Sequence, residues 1–155
     1  VNQIFGDLLI SKSPSEKVHL GDDVKPTHLI LRAKVATEAF ESEAEYTEID
    51  FLVDSGSDIP LILSKTAIKS LKGTPMVVDE LDLKGVNKCT ERCDRILVHL
   101  KLGKMVYLVR AVISENMDSE AIIGNWLFKF YNITIKDGEF SLSPRKEEID
   151  KLIGG

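Results

Sequence analysis

The chain has 155 residues, 43% of them hydrophobic and 29% charged, with 25 acids against 20 bases and a formal net charge of −5. That length suits one domain, or one domain with tails, and is enough to bury a core. The acidic balance argues against a nucleic-acid binder, which needs a basic face for phosphates, and no apolar run approaches the roughly 20 residues of a membrane span. The first residues lack the basic start and apolar centre of a signal peptide. The only cysteines, Cys89 and Cys93, are four apart with no histidine beside them. A zinc site needs about four ligands, so no metal or other cofactor is expected. The pair reads as two free thiols in a reducing compartment.

Residues 1–27 are mixed, with an apolar patch (Ile4, Phe5, Leu8, Leu9, Ile10) followed by Ser13-Pro14-Ser15 and Gly21-Asp22-Asp23, and read as an arm with one strand. Over 28–40, Leu29, Leu31, Ala33, Val35 and Ala39 fall on one face and Arg32, Lys34 and Glu38 on the other, which is strand periodicity. The polar stretch 41–44 turns. Thr47, Ile49, Phe51 and Val53 then line one face of a second strand, which runs into Asp54-Ser55-Gly56-Ser57-Asp58. Residues 59–63 form a short buried strand. Ser64 caps a helix over 65–72, with Gly73 as its stop. Residues 75–79 are extended, and the polar segment 82–93, containing Gly85, is an exposed hairpin. Residues 96–102 alternate, Gly103-Lys104 turns, and 105–113 alternate back as a second long hairpin. After a loop at 115–120, Ala121-Ile122-Ile123-Gly124 leads into a helix over 125–131. Segments 132–136 and 139–142 flank Asp137-Gly138, a two-residue hairpin signal. The main domain is thus 28–143, and 144–155 is a terminal helix or a tail. The whole is mainly β with two short helices and no repeat of solenoid length.

The chemistry sits at the end of the second strand. A carboxylate directly after a strand core is costly unless something compensates it, and Gly56 lets the chain turn where a side chain would collide. Asp54 is therefore expected on a rigid loop facing a cleft. Three readings of the acids stand open. Asp54 and Asp58 cap turns or helix ends; or Asp50, Asp54 and Asp58 form a carboxylate metal site, although their spacing of four needs a helix that Phe51-Leu52-Val53 and Gly56 oppose; or Asp54 is a catalytic carboxylate whose partner acid lies elsewhere.

The third reading carries a resemblance. Asp54-Ser55-Gly56 after Phe51-Leu52-Val53 resembles the Asp-Thr/Ser-Gly signature of the retropepsins, the aspartic proteases of retroviruses and LTR retrotransposons. Ala121-Ile122-Ile123-Gly124-Asn125-Trp126-Leu127 resembles that family's apolar-apolar-Gly segment, which packs beside the catalytic loop. Leu83-Lys84-Gly85-Val86-Asn87 sits where the family has its flap, a hairpin that closes over substrate. The resemblance spans roughly 29–142. It implies a retropepsin-like closed β-barrel (the acid protease fold), one lobe per chain. Two close carboxylates share one proton, because like charges prevent both from ionising. With a single Asp-Ser-Gly, the resemblance implies a two-fold homodimer in which each chain gives one Asp54.

Carried over residue by residue, Ser55 stands where a hydroxyl crosses to the partner loop and braces both carboxylates. Gly56 would offer its carbonyl to substrate backbone. Ser57 stands where alanine is commoner, and its hydroxyl faces substrate or the catalytic pair. Asp58 matches an acid that binds substrate main chain, with a helix N-cap as its alternative. Gly85 and Val86 form the flap tip. Lys84 and Lys88 depart from the glycine-rich flaps of retroviral members, and Asn125 replaces an arginine that pairs with the acid at the Asp58 position. Trp126 reads as core. The implied function is a homodimeric endopeptidase acting on a peptide or polyprotein, in the cytoplasm or within virus or virus-like particles, with no nucleic acid or membrane as partner. The other reading is a non-catalytic dimerisation or peptide-binding module on the same fold.

Overall fold

The computed structural model describes residues 8–14, 27–38, 40, 42–84, 90–136 and 139–154. The strands among the described residues are β1 (Leu8–Pro14), β2 (Thr27–Ala36), β3 (Thr47–Val53), β4 (Leu61–Ser64), β5 (Val77–Lys84), β6 (Thr90–Leu102), β7 (Met105–Ser114), β8 (Ala121–Ile123), β9 (Tyr131–Lys136) and β10 (Glu139–Pro144); most follow period-two alternation, while β4 and β8 are short apolar runs. Three helices, α1 (Lys65–Ser70), α2 (Leu127–Phe130) and α3 (Lys146–Gly154), and a 3₁₀ turn over Glu43–Glu45 join them.

The strands form one sheet in the order β5-β6-β7-β4-β8-β3-β2-β1-β10-β9, and β6 also pairs with β2. That extra pairing, Val35 opposite Leu100, closes β6-β7-β4-β8-β3-β2 into a six-stranded barrel. Inside it lie Leu31, Ile49, Phe51, Leu61, Leu63, Ile96, Leu100, Ile123 and Leu127, all fully buried. Each such side chain contributes roughly 1.5–3 kcal/mol on leaving water. The expected face of β3 is borne out at Ile49 and Phe51; on β2 the inward residues are Leu31, Ala33 and Val35, and the strand stops at Ala36. Ala39, placed on the same face by the alternation, lies outside the described residues.

Ser64 caps α1 as expected, its Oγ accepting from the Ala67 N–H at 3.1 Å. The helix ends two residues early, at Ser70, and Gly73 follows with φ +86°, where a Cβ would sit 2.7 Å from Thr37 Oγ1. The expected helix over 125–131 is shorter, Leu127–Phe130. The Arg145 N–H takes the Phe130 carbonyl at 2.6 Å, and Tyr131 already begins β9 opposite Pro144. β1 hydrogen-bonds between β2 and β10. Past Pro144 the chain is helical, and Ile149 of α3 is fully buried in the main core.

The two hairpins expected over 82–93 and 96–113 share a strand. β6 runs unbroken for 13 residues, so its first half pairs with β5 and its second half forms barrel wall. Arg92 bridges Glu80 and Asp82, and Arg95 Nε donates to Asp79 Oδ1 at 2.6 Å. The tip of this hairpin, with Gly85, Val86, Lys88 and Cys89, lies outside the described residues, as does the Asp137-Gly138 turn.

Candidate active site

The parallel pairing of β3 with β8 sets Val53 beside Ile123, and the ladder continues one step further: the Asp54 N–H donates to the Ile123 carbonyl at 2.9 Å. Asp54 therefore leaves the barrel wall at a fixed angle. Its side chain is half-buried. Oδ1 accepts from the Gly56 N–H at 3.0 Å, and the Ser57 N–H reaches the Asp54 carbonyl at 3.2 Å. Oδ2 accepts no hydrogen bond among the described residues and is available to a further donor.

The loop that follows is sewn to the segment after β8. The Gly124 N–H donates to the Pro60 carbonyl at 2.9 Å, and the Asn125 N–H to the Ser57 carbonyl at 2.8 Å. Asn125 Nδ2 donates to Asp58 Oδ1 at 2.8 Å, and the Trp126 indole to the Pro60 carbonyl at 3.0 Å. The approach is so close that a Cβ on Gly124 would lie 2.2 Å from the Ile59 carbonyl oxygen and 2.7 Å from that of Ser57. Gly56 differs from the expectation. Its φ is not in the left-handed region, and a Cβ there would meet Asp54 Oδ1 at 3.4 Å, an ordinary contact. The steric demand for glycine falls on Gly124 instead.

Ser55 and Gly56 are exposed at the turn, and Ser57 Oγ donates to the Ile59 carbonyl at 3.3 Å. Asp58 does not cap a helix, because α1 begins later and Ser64 caps it; its carboxylate is held by the Asn125 amide. A neutral donor thus stands where the resemblance led to an arginine. Asp50 lies within β3 with its carboxylate on Arg32 at 2.9 Å, so the Asp50-Asp54-Asp58 spacing falls on strand and loop rather than a helix face. Trp126 is half-buried, with its ring against Tyr107 and Phe130 at 5.3 and 5.9 Å between centroids.

A second apolar cluster, unforeseen in the sequence, lies on the outer side of the barrel wall. Buried Ile62, Cys93 and Val112 pack with Ile59, Leu81, Leu83, Met117 and Ile122. It attaches the β5–β6 hairpin to the strands beside the Asp54 loop. Burial pushes the Cys93 thiol up to about 11, so it stays protonated and unreactive at neutral pH. Glu91, also missed, reinforces this attachment. Its carboxylate accepts from Ser114 Oγ and from the Glu115 N–H, both at 2.9 Å, and these bonds hold it below the usual glutamate range. No local sequence signal marks Glu91, because its partners are 23 and 24 residues away. Between this hairpin, the Asp58–Pro60 stretch and β7 opens a groove of about 410 Å³.

No protein-family model matches the sequence, and neither does any curated protein. Solved structures do match. EIAV protease in complex with the inhibitor HBY-793 aligns over 72% of this chain and 92% of its own, with a TM-score of 0.52 at 14% identity. A retropepsin-like aspartic protease from Rickettsia conorii aligns over 87% of this chain and 92% of its own, with a TM-score of 0.49 at 16% identity. The closed barrel, with Asp54 leaving β3 alongside β8, has the retropepsin-type fold.

Proposed function

We propose that two copies of this chain form an aspartic endopeptidase in which each contributes Asp54. The observation that carries this reading is the placement of Asp54: a half-buried carboxylate at a strand end, with one oxygen fixed by the Gly56 N–H and the other open, on a loop locked by Gly124 and Asn125. One such carboxylate is half of an acid–base pair. A second, brought close by a two-fold axis, would share one proton with it, since two like charges at short range cannot both ionise. The ionised member then takes a proton from water as it attacks a peptide carbonyl, and the protonated member donates to the developing oxyanion. The protons belong to the pair and not to either residue. In this reading exposed Ser55 reaches across to the twin loop, and Ser57 and Asp58, on the same loop, meet substrate. Gly85 and Val86, outside the described residues, are the positions this reading assigns to further substrate contact.

Pairing through a sheet edge needs an unfilled edge. β1 is flanked on both sides within the chain, whereas β5 and β9 end the sheet among the described residues; β5 belongs to the hairpin beside the groove, so β9 and its hairpin partner β10 are the elements we assign to the contact between copies. A polyprotein cleaved in the cytoplasm or in an assembling particle is the substrate this reading expects.

The test is Asp54→Asn, assayed on a fluorogenic peptide pool at mildly acidic pH with and without a pepstatin-type inhibitor. The expected loss is roughly 10²–10⁴-fold, the usual weight of general acid–base catalysis. Mixing in the folded variant should also silence wild-type chains by forming mixed pairs. Wild-type cleavage by the variant alone, or no silencing on mixing, would overturn the proposal; binding of peptide without cleavage would leave the non-catalytic module.

A further inference from the structure

We propose that the groove beside Asp58 selects peptide segments that carry a carboxylate two residues from an apolar side chain, and that Arg110 reads that carboxylate. The proposal rests on the peptide-cleaving reading above and names what such a site prefers. Asp58, Ile59 and Pro60 bound the groove on the side of the Asp54 loop, so whatever fills it lies next to that loop. Its floor is apolar: Ile59 and Leu81 belong to the second cluster, and Val112 is fully buried.

Three charged side chains line it, and two are already engaged. Asp58 is held by the Asn125 amide. Arg95 grips Asp79 with both Nε and Nη2. Arg110 is exposed and makes no hydrogen bond or ion pair among the described residues. The Asp79 carboxylate nearby is held by Arg95, and the Arg110 charge adds only a weaker, longer-range attraction to it. A guanidinium presents a planar fork of donors that fits a carboxylate with two parallel bonds. Beside low-dielectric walls such a pair is worth more than one in open water.

The apolar half of the motif comes from the neighbouring strand position. Leu108 is 62% exposed and lines the same groove, two residues from Arg110 on the outward face of β7. Along a strand, alternate side chains on one face repeat every ~6.5–7 Å. An extended peptide alongside has the same repeat, so an aliphatic side chain on Leu108 places the carboxylate two residues on at Arg110. The chain as a whole carries −5, so long-range steering opposes an acidic peptide and selection has to come from this contact.

The experiment uses dye-labelled nine-residue peptides of Ala, Val and Leu, each with Glu at one position in turn and a Gln twin. Binding to the full-length Asp54→Asn protein is followed by fluorescence anisotropy, and repeated with Arg110→Gln and Arg110→Glu added. Melting curves confirm that each variant folds. At one position Glu should bind about 5–10-fold tighter than Gln, roughly 1–1.4 kcal/mol. Arg110→Gln should bring the ratio within about twofold, and Arg110→Glu should invert it in favour of the Gln twin. A Glu/Gln ratio within twofold at every position, including no binding at all, overturns the proposal, as does a ratio that survives Arg110→Gln. Cleavage of the same peptides by the wild-type chain is scored separately. Its absence sinks the proteolytic reading while binding still decides the groove, and cleavage indifferent to Glu or Gln sinks the groove while leaving proteolysis.

Discussion

Replacing Gly124 with alanine adds one methyl group at the tightest point of the molecule. Its Cβ would lie 2.2 Å from the Ile59 carbonyl oxygen and 2.7 Å from that of Ser57, both backbone atoms that no rotamer change can move away. Overpacking of this kind costs roughly 1–3 kcal/mol. Relief requires the 57–60 loop to retreat from the segment after β8, which strains the hydrogen bonds from Gly124 to Pro60 and from Asn125 to Ser57. Those are worth about 0.5–1.5 kcal/mol each. The sum is a loss of about 2–6 kcal/mol. At roughly 2–4 °C per kcal/mol for a chain of this size, the melting temperature should fall by about 10 °C. The measurement is thermal and urea unfolding at one fixed protomer concentration, with Gly154→Ala as a control, since a Cβ there meets nothing within 4 Å. On the proposed function, the variant should also lose peptide cleavage out of proportion to its stability at the assay temperature, because Asp54 hangs from the same ladder. A Gly124→Ala protein that melts within 2 °C of wild type would refute the steric argument.

Two further outcomes follow from polar contacts across the fold. Tyr107 and Tyr131 join hydroxyl to hydroxyl at 2.9 Å inside the core. Tyr131→Phe should cost about 1–3 kcal/mol by leaving a buried hydroxyl alone, whereas the double change to Phe should sit closer to wild type than the sum of the singles; additive urea-unfolding values would refute this. Glu91 is held below the ordinary glutamate value of about 4.3 by the Glu115 N–H and Ser114. A depressed pKa gives stability that is present above the unfolded value and fades as pH falls through the folded one. Glu91→Gln should therefore melt below wild type at neutral pH, with the gap narrowing as pH falls below the ordinary glutamate value; a gap that does not narrow on acidification counts against the contact.

The barrel strands and the Asp54 loop were legible because each carries its cause locally: alternating apolar residues in β2, β3 and β7, and an acid and glycine directly after Val53. Gly124 was legible as part of a motif, but not as the position where glycine is sterically required. That demand comes from Ile59, 65 residues away. Glu91 as a tie to the barrel and the cluster under the β5–β6 hairpin were hidden for the same reason. Each is a pairing across the fold between side chains whose own neighbours are unremarkable. The second helix came out short because Tyr131 is already extended and paired with Pro144 of β10, a partner that no window around residue 130 contains.

The unbroken β6 has a mechanical consequence. Its first half carries Cys93 in the outer cluster and its second half carries Ile96, Val98 and Leu100 in the barrel, so one rod passes through both apolar bodies. The base of the projecting hairpin cannot melt by itself, and its amides from Cys93 onward should exchange with deuterium only when the entire barrel opens.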